Sequence, residues 1–131
     1  MNLSLQVMTP NKIVLTREAT ELILPTTTGQ IGILQNHTPL LSALDTGILK
    51  VFYQNEWSYL AVFGGFVMIE ENDVTVIVND AFTKEEVDPT LIETEFNEAC
   101  KALEEAKSQK EKIESSVILK RAKVKLELSK I

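Results

Sequence analysis

Few side chains in these 131 residues are of a type that does chemistry near neutral pH. There is one histidine, His37, and one cysteine, Cys100. As a general base, His37 would need a positioned nucleophile or carboxylate beside it. The sequence offers neither in a recognisable pattern. The nearest acid, Asp45, stands just before Gly47 and reads as a turn-capping residue. His37 is therefore expected to be a loop histidine bonded to backbone. Cys100 falls beside a helical stripe that carries no histidine, so it reads as a buried or half-buried thiol. One His and one Cys make a poor protein-only zinc site. Gly29-Gln30-Ile31-Gly32 lacks the Lys-Ser/Thr of a phosphate loop and the third glycine of a dinucleotide loop. Tyr53, Trp57 and Tyr59 are expected to cluster across strands. No catalytic, cofactor or metal site is predicted.

The balance of charge narrows the partners. Nineteen acidic and 13 basic residues give a net charge of −6. A nucleic-acid binder needs a basic face for phosphate, so nucleic acid is excluded. No apolar run approaches the ~20 residues of a membrane span, and no direct membrane insertion is expected. The N-terminus shows neither a secretory nor a transit pattern. The expectation is a protein that works where it is made, or is encoded in the organelle that uses it.

The elements that must position anything functional change character near Asp88-Pro89. Before it, short apolar runs recur every eight to twelve residues between turn signals, an all-β pattern. Leu3 to Val7, Leu22 to Leu24, Ile48 to Tyr53, Trp57 to Phe63, Phe66 to Ile69 and Val74 to Val78 read as strands. Gln54-Asn55-Glu56 and Glu71-Asn72-Asp73 read as hairpin turns, and Gly64-Gly65 as a bend between strands. Pro25 and Pro39 are expected to end ladders. Gly29, Gly32 and Gly47 are expected at positive φ or at close approaches. Two packed antiparallel sheets follow, a β-sandwich over residues 1–86.

Residues 87–131 read as an antiparallel two-helix hairpin. Asp88 is a good N-cap and Pro89 suits the first helical position. Ile92, Phe96, Ala99, Leu103 and Ala106 form a narrow stripe. On the second helix Ile113, Val117, Val124, Leu128 and Ile131 form one stripe, and Ile118, Leu119, Ala122 and Leu126 another. The first helix is acidic. The second carries Lys120, Arg121, Lys123, Lys125 and Lys130. Between them, Lys107 to Ser116 holds only good helix formers and serines. A hairpin and one long helix are expected to be close in energy.

The stretch Leu24-Pro25-Thr26-Thr27-Thr28-Gly29-Gln30-Ile31-Gly32-Ile33-Leu34, continuing through Asn36-His37-Thr38-Pro39-Leu40, resembles the epsilon subunit family of the rotary F-type ATP synthase. Trp57 to Phe66, with Gly64-Gly65-Phe66, and the ending Val78-Asn79-Asp80-Ala81 resemble its chloroplast and cyanobacterial members. The resemblance implies a non-catalytic central-stalk subunit. Its partners would be the gamma shaft, the membrane c-ring and the alpha/beta head, and it would restrain ATP hydrolysis. The implied place is the stromal face of the chloroplast thylakoid, with the cyanobacterial thylakoid as the alternative. By the same resemblance Thr28, Gly29, Gln30 and His37 match the part that rests on the c-ring. Lys120, Arg121, Lys123 and Lys125 would dock on an acidic loop of the beta subunit. Some bacterial relatives bind ATP through aliphatic-Asp-x-x-Arg-Ala. Here Arg121-Ala122 is present, but Ile118 stands where the aspartate would be.

Two other readings compete. A stand-alone β-sandwich regulator that senses a small ligand would need a deep apolar pocket. An enzyme would need converging titratable residues.

Overall fold

The computed structural model describes residues 2–131. The chain divides into two compact units, Met1–Ala81 and Phe82–Ile131. Ten strands form one continuous pairing network. They are β1 (Leu3–Met8), β2 (Ile13–Ala19), β3 (Glu21–Thr26), β4 (Gly29–Leu34), β5 (Leu40–Leu44), β6 (Gly47–Tyr53), β7 (Glu56–Val62), β8 (Gly65–Glu70), β9 (Asp73–Val78) and β10 (Ala81–Thr83). β10 begins at the last residue of the first unit. The order is β10-β7-β6-β3-β5-β8-β9-β1-β2, with β4 paired to β3.

The period of two explains which residues turn inward. Leu3, Leu5 and Val7 of β1 are buried, as are Val74, Val76 and Val78 of β9 and Val67 and Ile69 of β8. Leu22, Leu24, Ile33, Leu49, Val51, Leu60 and Val62 complete the core from the other strands. The described pairings are antiparallel with one exception. β1 runs parallel to β9, Leu5 beside Val74 and Val7 beside Val76. That departs from a purely antiparallel sandwich, and it brings the first strand of the chain beside the ninth.

Four strands lie where no strand was expected. β2 carries Arg17 and Glu18, and only Ala19 in it is fully buried. Glycines interrupt β4, β5 is short, and β10 has three residues. Pro25 does not end β3, which continues to Thr26 with Pro25 opposite Gln30. Its carbonyl accepts from Asp45 N at 2.8 Å.

The hairpin turns are two residues long, not three. Gln54 and Asn55 have φ of 53° and 65°, and Glu71 and Asn72 have 48° and 65°. Two successive left-handed residues match the right-handed twist of the flanking strands. Trp57 pairs across the strands with Phe52, ring centroids 4.9 Å apart, rather than with the two tyrosines. Tyr53 donates to Glu18 Oε2 at 2.9 Å. That bond and the adjacent negative charge push the Tyr53 hydroxyl's pKa above the ordinary tyrosine value.

In the second unit, a 3-10 turn (Lys84–Glu86) leads to α1 (Pro89–Glu105) and α2 (Gln109–Lys130). Asp88 caps α1, accepting from Thr90 N at 2.9 Å and Leu91 N at 3.4 Å. The chain reversal, unlike the expectation, is specified by side chains. Ser108 Oγ accepts from Glu111 N at 3.1 Å, and Glu111 Oε2 accepts from Lys107 N at 3.1 Å. Ser108-x-x-Glu111 is a capping-box spacing that starts a new helix. Among the described residues no helix is long and apolar enough to cross a membrane.

The α1 stripe is placed as expected, with Ile92 and Ala99 buried. The α2 stripes are not. Val124, Leu128 and Ala122 are buried, but Ile113, Val117 and Ile118 are exposed by 57%, 51% and 59%. Full burial is therefore confined to the C-terminal half of α2, while in the N-terminal half only Ser115 and Leu119 are half-buried. Ala99 and Ala102, facing Ile118 from α1, are too small to fill the space, and a groove of about 380 Å³ remains.

The glycines divide sharply. A Cβ on Gly65 would lie 2.1 Å from the Ile77 carbonyl oxygen, at φ +154°. A Cβ on Gly47 would lie 2.7 Å from Pro25 Cβ, a close approach as expected. Gly29 has φ +122° but open space. Gly32 has neither a positive φ nor a neighbour within 4 Å, so the fold itself does not require it. In urea unfolding of the full chain, Gly65→Ala should lose about 3 kcal/mol. Gly32→Ala should stay within about 0.5 kcal/mol of the parent. Equal losses would show that glycine is needed at both for a shared reason.

Candidate functional site

The residues matched to the ring-resting edge do not form one edge. Thr28 lies in the β3–β4 turn, and Gly29 and Gln30 begin β4. His37 comes three residues past its other end. Gly29 and Leu34 are five strand rises apart, about 17 Å. The two groups therefore belong to opposite poles of the β unit. The Thr28 pole is tightly tied. Thr26, buried, shares its hydroxyl with Thr28 Oγ1 at 3.3 Å and donates to the Gly29 carbonyl. Thr27 N donates to Ala43 O at 3.3 Å. Thr28, Gly29 and Gln30 are all exposed on this braced turn.

At the other pole His37 is half-buried and makes backbone contacts. Its N–H donates to Leu34 O at 3.2 Å, and Nδ1 lies 2.7 Å from Thr38 O. A carbonyl can only accept, so the ring proton sits on Nδ1. Asp45 caps its turn, accepting from Thr46 N at 2.8 Å. The His37 loop is fastened by two asparagines 36 residues apart. Asn36 N donates to Asn72 Oδ1 at 2.6 Å, and Asn72 Nδ2 to Asn36 Oδ1 at 3.4 Å. Asn36 has φ 66° and Asn72 65°, which asparagine tolerates better than most residues. Among the described residues, no group of three His, Cys, Asp or Glu is placed to hold a metal ion.

A surface that sequence reasoning missed lies on the outer face of β5, β8, β9, β1 and β2. The register sets Ala43 beside Phe66, Phe66 beside Ile77, Ile77 beside Met8 and Met8 beside Ile13. That is an apolar row across five strands. The next row begins Leu41, Met68 and continues into Thr75, Gln6 and Thr16. Leu41, Ile13, Met68 and Phe66 are exposed by 69%, 58%, 47% and 45%. Contiguous exposed apolar surface is characteristic of interaction sites. The signal was present in Phe66-Val67-Met68-Ile69. An unbroken apolar run means that both faces of a strand are meant to be covered.

The four cations of α2 also divide. At about 100° per residue, Arg121 and Lys125 lie some 40° apart, and Lys120 and Lys123 lie round the helix from them. Arg121 and Lys125 line the groove shared with Glu95 and Glu98 of α1. Lys125 is half-buried, and its Nζ stands 4.3 Å from the centre of the Phe82 ring. The four cations thus stand as two pairs on different faces of α2.

A braced β module with an apolar outer face, followed by a charged helix pair, belongs to the class of proteins that act by docking. Residues 2–84 match the family described as ATP synthase, Delta/Epsilon chain, beta-sandwich domain. The chain is 48% identical over 131 residues to the "ATP synthase epsilon chain, chloroplastic" of Adiantum capillus-veneris, covering 100% of this chain and 99% of that one. It is 46% identical over 128 residues to the protein of the same name from Oltmannsiellopsis viridis, covering 98% of each. Its fold is similar to a chain in the Euglena gracilis mitochondrial ATP synthase (OSCP/F1/c-ring in rotational state 1), with TM-score 0.85, 21% identity, and coverage of 96% of this chain and 79% of that one. The chain belongs to the ATP synthase epsilon chain family.

The asparagine clasp gives a local test. Asn72→Gly keeps the left-handed backbone and removes both bonds. It should speed hydrogen exchange at the Asn36 amide and cost about 0.5–1 kcal/mol in stability. Asn72→Asp retains the acceptor and should keep the Asn36 amide protected. Unchanged exchange in Asn72→Gly would show that the loop is held by something else.

Proposed function

We propose that this chain is the non-catalytic rotor subunit of a chloroplast F-type ATP synthase, peripheral on the stromal face of the thylakoid. It joins the gamma shaft to the c-ring and restrains ATP hydrolysis through its helices. The observation that carries this reading is the apolar outer face of β5-β8-β9-β1-β2 on a rigid module. Membership of the epsilon chain family supports it.

Each part then has a mechanical role. The row from Ala43 to Ile13 buries against the gamma shaft, and burial of apolar surface supplies the grip at roughly 25 cal/mol per Å² before association costs. The Thr28–Gln30 turn rests on the c-ring. Gln30 is uncharged, so that contact is hydrogen-bonded rather than ionic. The bonds made by the buried Thr26 hydroxyl, and the one Thr27 N donates to Ala43 O, hold the turn stiff enough to pass torque. His37, at the far pole, is left out of this contact. The helix pair is the brake. In an extended form its cations meet the acidic loop of the beta subunit and stall hydrolysis. A partner shifts the balance only by its differential affinity for the two forms.

Two changes separate the grip from the brake. Met68→Glu puts a charge in the centre of the face without touching the core, and should weaken assembly with gamma at least tenfold. Deleting the residues after Asp88 should leave assembly intact and raise ATP hydrolysis by the reconstituted head. Assembly of Met68→Glu with unchanged affinity would move the gamma contact elsewhere. A truncated subunit that assembles and still inhibits would place the brake in the β unit. A pull-down from native membranes should return synthase subunits with the parent chain and lose them with Met68→Glu.

A further inference from the structure

The C-terminal half of α2 is fastened to the short segment before α1. Lys125 extends its half-buried stem to place Nζ 4.3 Å from the Phe82 ring centre. Ring and stem line a small cavity of about 140 Å³ with Val87, Leu91 and Ile92. Two residues on, Lys84 Nζ donates to the main-chain carbonyl of Ile131. Both ties lie at the end of the hairpin opposite its turn. At the turn end the seam is loose, with Ile113, Val117 and Ile118 exposed. Only Ala106, Lys107 and Ser108 separate the two helices. The folded-back form is therefore closed from the Phe82 side.

We propose that Phe82 is the positioning residue that latches α2 in the folded-back form, by holding Lys125 against its ring. The inference rests on the reading of the helix pair as the brake and adds what sets its resting position. The latch engages one of the cations that the beta subunit would need. Lys125 cannot lie over Phe82 and on an acidic loop at once. Release of the ring contact and docking of the cation are thus the same event seen from two sides. A cation held over an aromatic face at a half-buried site is worth a two- to fivefold bias, about 0.5–1 kcal/mol. A bias of that size tunes the balance between the two forms without locking it.

The test uses the full chain with Cys100→Ser, and with spin labels at Glu93→Cys and Glu127→Cys. These exposed positions stand at neighbouring levels of the two helices, since Glu95 and Lys125 share one groove. In one continuous helix they would be about 50 Å apart. Phe82→Leu keeps apolar bulk and removes the π face. It should raise the long-distance population two- to fivefold, and lower ATP hydrolysis by the head reconstituted with the same subunit. Phe82→Trp keeps the π face and should hold the short distance. A distance distribution unchanged by Phe82→Leu overturns the latch, as does an equal shift by Phe82→Leu and Phe82→Trp. If the distance shifts with Phe82→Leu alone while hydrolysis stays the same, the latch stands and the brake reading fails.

Discussion

The register of β8 against β9 is the constraint on which the β unit depends. Gly65 passes so close to the Ile77 carbonyl that any side chain there would collide with it. The pairing Gly65 with Val78 is thereby fixed, and every later pair follows, Phe66 with Ile77 through Glu70 with Asp73. A slip of one residue would exchange Val67 and Ile69 for Phe66 and Met68 on the core side. The core would then hold larger side chains than its packing admits, and the outer face would lose the residues that make it apolar. The same strand pair anchors β1, whose parallel register on β9 puts Met8 beside Ile77. One close backbone approach thus decides both what the module buries and what it offers.

Much of this was legible in the residues, and the failures have a common cause. The switch from strands to helices at Asp88-Pro89 could be read because cap and N1 chemistry are local. The two-residue turns were marked by their polar residues, though not their length. The Ser108-x-x-Glu111 box was equally local and was passed over because the segment looks uniformly helix-forming. What could not be read was pairing at a distance. Nothing in Leu3 to Met8 says that its neighbour is β9 and runs parallel. β4 was hidden because its two glycines resemble a loop. With β4 unseen, Thr28 and His37 looked like neighbours, although a whole strand separates them. Those residues were singled out by type alone, and the structure sets the two groups a strand's length apart.

The helix pair fails in a different way. Its stripes were drawn as if each ran the full length of α2. The structure fully buries α2 residues only in the C-terminal half, because α1 presents Ala99 and Ala102 where α2 brings Ile118. Small residues facing a β-branched one leave a gap rather than a seam, and a gap contributes neither dispersion nor full transfer energy. The turn end is therefore the weaker end despite its well-formed cap.

These two facts fit together energetically. The Ser108 cap fixes where a new helix begins and contributes about 1 kcal/mol. It does not fix the angle at which α2 leaves, since Ala106 and Lys107 are free of the capping side chain's reach except through Glu111. The angle has to be set by what α2 touches along its length. Near the turn it touches little, and near its end it touches the segment from Phe82 to Ile92 through Lys125 and the side chains around it. A hairpin held at its open end and loose at its turn is one that opens by losing a few contacts at one place. The β unit, by contrast, is closed by ladders on nearly every strand. Stiffness in one part and a weakly seamed hairpin in the other are the division of properties that the proposed rotor role with a movable brake requires.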